Sequence, residues 1–113
     1  MKEFVLLFRQ PNYNEYNTAT PEEMKAIGKK WHEWFSNIVA QDKLSNNGIR
    51  LAMEGKVLRK SNVVTDGPFA EIKEILGSFI VVKAESLDDA VELAKNCPAI
   101  DAGGSVEIRP AYT

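Results

Sequence analysis

Carboxylates beside a sharply specified bend are the first residues in this chain equipped for chemistry. Asp66 opens an Asp66-Gly67-Pro68 triplet, with Glu71, Lys73 and Glu74 close behind. The triplet reads as an Asx-turn, in which the Asp66 carboxylate accepts backbone N–H bonds and Gly67 takes the positive φ that such a bend favours. A turn that fixes this carboxylate also preorganises it, so Asp66 is a candidate general acid or base, or a ligand acceptor. Glu71, Lys73 and Glu74 read as a solvated face, as a paired network across a subunit interface, or as the rim of a pocket. Near the C-terminus, Glu107 and Arg109 alternate with Val106 and Ile108. If the apolar pair faces the helices, the charged pair faces the other way, where an arginine fork can take an anionic group. All five charged residues are therefore ligand-binding candidates.

His32 lies at the edge of a helical apolar stripe and is a second, weaker catalytic candidate. Trp31 and Trp34 lie within that stripe and read as core. Cys97 is expected at a helix C-terminus, where the dipole disfavours a thiolate, so an inert thiol is expected. One cysteine allows neither an internal disulfide nor a Cys-based zinc site. The chain carries no Gly-rich phosphate loop, dinucleotide fingerprint or nucleophile elbow, so no cofactor and no metal is expected.

These residues need elements to hold them. Residues 3–9 read as a strand apolar on both faces, Phe4, Leu6 and Phe8 on one and Val5 and Leu7 on the other. Thr20-Pro21-Glu22-Glu23 is a capping box with Pro at the first helical position. Met24, Ile27, Trp31, Trp34, Phe35, Ile38 and Val39 follow at helical spacing, predicting a helix over about 21–42. Asn46-Asn47-Gly48 reads as the turn beyond it. Ile49, Leu51 and Met53 then alternate with Arg50, Ala52 and Glu54 as a half-buried strand, and 56–59 and 63–64 are short extended pieces. Residues 77–84 form a second strand apolar on both faces. Ser86 starts a helix with Leu87, Ala90, Val91 and Ala94 inward, stopping at Cys97-Pro98. Residues 104–110 close the chain as a strand.

The order β-α-β-β-α-β is that of a ferredoxin-like α+β fold, with the first and third strands central. Two helices cover only one sheet face. The other must meet a second sheet, which in so short a chain means a homodimer.

Composition agrees with a single domain of 113 residues. Hydrophobic residues make up 44% and charged residues 27%, as in ordinary soluble proteins. A net charge of −2 without a basic block argues against direct nucleic-acid binding. The longest apolar run, Phe4 to Phe8, is far short of the ~20 residues that span a bilayer. With no signal-peptide pattern, the expected compartment is the cytoplasm.

The stretch VVTDGPFAEIKEILGSFIVVKAESLDDAVELAKNCPA, followed by GGSVEIRP, closely resembles the DGPF-domain branch of the YCII-related proteins. The resemblance implies a dimeric α+β barrel of ferredoxin-like protomers. In the broader group a His on the first helix and an Asp before the second helix's terminal Pro are the suspected active site. Here Cys97 precedes Pro98, and the matching helix position is nearer Trp31 than His32, so that pair is not carried over. Relatives fused to sigma-factor domains imply an indirect link to transcription by association only. Three readings stand: a dimer binding a small, anionic molecule near its interface; a cofactor-independent lyase or isomerase using Asp66; and an interaction module linked to sigma factors.

Overall fold

A computed structural model describes residues 1–11, 20–52, 54–67 and 74–112. The fold is α+β, with three α-helices among the described residues and an antiparallel main sheet. Strand β1 (Lys2–Pro11) leads to helix α1 (Pro21–Ala40), then to strand β2 (Leu44–Arg50). A hairpin of β3 (Gly55–Arg59) and β4 (Val63–Gly67) follows, then the long strand β5 (Glu74–Ala84). Helices α2 (Leu87–Ala94) and α3 (Pro98–Asp101) precede the closing strand β6 (Ser105–Pro110). The main sheet runs β2-β5-β1-β6, every neighbouring pair antiparallel, and β3-β4 form a separate two-stranded sheet. The two strands that are apolar on both faces, β1 and β5, are the central pair.

The core lies between the helices and one face of the main sheet. Phe4, Leu6 and Phe8 of β1 oppose Val82, Ile80 and Ser78 of β5, and all but Ser78 are buried. Ile38, Ala90, Ala94, Cys97 and Ala99 close over them from the helical side. Phe8, Trp31 and Trp34 meet edge to face, with ring centroids 5.3 to 5.9 Å apart. Trp34 Nε1 donates to the Leu93 carbonyl at 3.1 Å, tying α1 to α2. Fully burying a side chain such as Leu6 stabilises by roughly 1.5–3 kcal/mol, which makes this layer the main source of stability.

Helix starts follow the caps. Thr20 accepts from the Glu23 amide and Ser86 from the Asp89 amide, each at 3.1 Å. Helix α1 ends at Ala40, two residues before the expected boundary near 42. Asp42 there takes a left-handed φ of 56°, while the Asp42 and Lys43 amides reach back to Val39 and Ile38. That Schellman geometry satisfies carbonyls the helix would leave open. In α2, the inward set is Ala90, Leu93 and Ala94, whereas Leu87 and Val91 are exposed.

Three expectations are corrected. Asn46-Asn47-Gly48 is not a turn but an irregularity inside β2, whose register against β5 shifts there. Gly48 sits at φ +63°, its amide donating to Asn46 Oδ1 at 2.7 Å, and the ladder resumes beyond it. The strand expected over 49–54 therefore lies earlier, ends at Arg50, and leaves Ile49 and Leu51 exposed; Met53 lies outside the described residues. Pro98, read as a helix stop, is instead the first residue of α3, and Cys97 is the residue before that helix begins. Helix α2 has already ended at Ala94, and Pro98 suits the first position of α3 because a proline supplies no amide there and has the right φ.

Candidate functional site

The register of the main sheet decides what its second face carries. On β1, Val5 pairs with Arg109 and Val81, and Leu7 with Glu107 and Phe79. Phe79 in turn pairs with Ile49 of β2. Side chains alternate, so these residues lie on the face away from the helices, while Val106 and Ile108 pack against the core. Val5, Leu7, Phe79 and Val81 are only half-buried, and Ile49 is 60% exposed. The result is an open face with an apolar centre.

Charge gathers at one side of that centre. Arg9 Nη2 donates to Glu107 Oε1 at 3.2 Å, and Arg109 Nε lies 4.0 Å from Glu107 Oε2. One carboxylate thus stands between two guanidinium groups, leaving the trio with a net positive charge. The Arg109 side chain is 70% exposed, and a single contact at 4.0 Å engages little of its five-donor fork. Such a fork can take a carboxylate or phosphate bidentately. Toward the other end of β1, the Ser45 hydroxyl donates to Glu3 Oε2, and Lys83 Nζ lies 3.9 Å from Asp42.

Asp66 and His32 are not gathered here. Asp66 and Gly67 are in strand β4 and Gly67 has no positive φ, while the rest of the expected turn, residues 68–73, lies outside the described residues. The Asp66 carboxylate is 95% exposed and accepts from Lys56 Nζ at 2.9 Å across the hairpin. Lys56 reaches this carboxylate because it pairs directly opposite Asp66. Glu71 and Lys73 lie outside the described residues, and Glu74 opens β5 opposite Pro11. His32 is exposed on α1, in the layer on the far side of the sheet from Glu107 and Arg109.

Two of the protomer's cavities lie on the helical side. One of about 420 Å³ is bordered by Trp34, Asn37, Gln41, Lys43, Glu92 and Lys95 among others. The second, of about 260 Å³, lies beside Lys30, Glu33 and Asp101 and shares Trp34, Asn37 and Asn96. Neither is lined by Asp66, His32, Glu107 or Arg109. A cavity bordered by the DGPF turn, Glu107 and Arg109 would involve residues 68–73, which lie outside the described residues. Arg9 is the site residue that sequence reasoning missed. Its signal was available: it follows Leu7 by two positions and so shares the open face.

Burial pushes the Cys97 thiol up from 9.0 to about 11, with the charge of Asp101 adding and a hydrogen bond to the Ala99 backbone opposing. At 0% exposure it is a core residue. Among the described residues, no group of three or more His, Cys, Asp and Glu is arranged to hold a metal ion. No described helix is long and apolar enough to cross a membrane.

Comparison with known proteins places these features in a family context. A family model described as YCII-related domain matches residues 5–112. An uncharacterized protein of Rhizobium meliloti (strain 1021) is 45% identical over 49 residues, a stretch that covers 42% of this chain and 40% of that protein.

Proposed function

This chain belongs to the YCII-related domain family, and from that premise we propose that it is a homodimer of ferredoxin-like protomers that binds a small anionic molecule where two open sheet faces meet. The observation that carries this reading is the open face itself, apolar at its centre and bordered by Arg9, Glu107 and Arg109. An apolar sheet face left wet is a standing cost at ~25 cal/mol per Å².

Closing two such faces together lowers the local dielectric around Glu107 and its two arginines. The trio's surplus positive charge then favours an anion over water. Apolar walls with a few convergent polar groups are the usual form of a small-molecule site. Catalysis through Asp66 lacks comparable support, because its carboxylate is exposed and paired with Lys56.

Two measurements test the reading. Light scattering at micromolar concentration is expected to give twice the chain mass; a stable monomer there refutes the dimer. Titration of labelled protein with succinate, citrate and inorganic phosphate is expected to shift the amide resonances of 105–109 in wild type and not in Arg109→Gln. If none of the three anions moves those resonances at millimolar concentration, the anion site is refuted.

A further inference from the structure

The β3–β4 hairpin stands apart from the body of the protomer. It forms its own two-stranded sheet, and among the described residues no other element packs extensively against it. A lone two-stranded hairpin is at best marginally stable in water. This one also exposes apolar side chains: Leu58 is 69% exposed, Val64 56% and Val63 50%. Its tight end holds Ser61 and Asn62 at positive φ, so the bend itself is strained.

Register sorts the hairpin's two faces. Leu58 pairs with Val64 and Lys56 with Asp66, so these four share one face. The hairpin joins the main sheet between Arg50, which pairs with Ser78, and Glu74, which pairs with Pro11. Its root is therefore at the sheet end that carries Arg9, which pairs with Leu76 and Ser105. A five-residue strand at ~3.3 Å per residue reaches about 17 Å, more than the ~10 Å between two packed sheets.

We propose that the β3–β4 hairpin is an arm that reaches across to the second copy of this chain, packing Leu58 and Val64 at the rim of its sheet face and carrying Lys56 and Asp66 to the edge of its anion site. The inference rests on the dimer of the preceding section and adds the arm to it. Area is the reason for choosing a second copy as the occupant. Four strands at ~4.8 Å spacing over ~20 Å of length give a footprint of about 400 Å², roughly half of what one partner buries in a standard interface. The arm supplies apolar surface that the sheet face lacks. In such a dimer each anion site draws charged groups from both copies, and Asp66 acts on the site opposite its own protomer.

Hydrogen exchange followed by mass spectrometry, combined with a dissociation isotherm, tests the arm separately from the dimer. In wild-type dimer, the amides of 56–58 and 63–66 are expected to exchange at least about tenfold more slowly than in protein diluted to monomer. The double variant Leu58→Ser, Val64→Ser alters only exposed side chains and should fold, yet raise the dimer dissociation constant at least about tenfold. A wild-type dimer whose arm amides exchange at the monomer rate, with an unchanged dissociation constant in the double variant, overturns the arm while the sheet-face dimer stands. Arm amides equally protected in the monomer overturn it too. A wild-type monomer at micromolar concentration ends both proposals.

Discussion

Replacing Gly48 by alanine should be among the most damaging one-carbon changes available in this chain. A Cβ at Gly48 would lie 1.6 Å from the Phe79 carbonyl oxygen and 2.5 Å from its carbon, and the residue sits at φ +63°. The left-handed conformation alone costs a residue with a side chain about 1 to 2 kcal/mol. Because the obstructing atoms are backbone of a central strand, β2 must move by well over an ångström to make room. That movement opens the Gly48–Asn46 bond and adjoining ladder bonds, each worth about 1 kcal/mol net. The sum is about 3 to 5 kcal/mol, a large share of the roughly 5–15 kcal/mol that holds a domain together. Gly28→Ala is the matched control. Its Cβ meets nothing within 4 Å, and it lies inside α1, where alanine gains about 1 kcal/mol over glycine. Urea unfolding of the three proteins at one fixed concentration should place Gly28→Ala above wild type and Gly48→Ala far below. A Gly48→Ala midpoint within about 1 kcal/mol of wild type would refute the bulge and the close approach of Phe79.

The Cys97 thiol gives a pH dependence with a definite sign. Its folded value is raised to about 11, so the unfolded chain loses this proton first; the stabilisation is full below 9.0 and disappears between 9.0 and about 11. At 1.36 kcal/mol per unit, this amounts to about 2 to 3 kcal/mol, and the stability gap between wild type and Cys97→Ala should narrow from about pH 8 to about pH 10. A gap that stays constant over that range would show that the thiol does not titrate differently on unfolding. Asp66→Ala, by contrast, removes an exposed strand-to-strand ion pair, and should lower stability by less than about 1 kcal/mol, with the loss shrinking in high salt. A larger, salt-independent loss would show an Asx-turn instead.

How much was legible follows the range of the interactions involved. Thr20 and Ser86 mark helix starts because a cap acts within three residues, and Phe4 to Phe8 mark a strand covered on both faces because the side-chain period is local. The phase of β6 was readable for the same reason: Val106 and Ile108 face the core, which sends Glu107 and Arg109 to the open face. Arg9 obeys the same alternation and could have been found by counting from Leu7. Gly48 and Asp66 are different. Asn46-Asn47-Gly48 contains everything a turn needs, and only the Phe79 carbonyl lying against it makes the segment a bulge in a strand. Asp66-Gly67 likewise suits a bend, yet Lys56 across the hairpin supplies a partner and extended backbone prevails. Residue types and spacing determine the menu of local conformations available to such a segment. The choice among them rests on strand register, which joins residues far apart in the chain and is settled only when the sheet assembles.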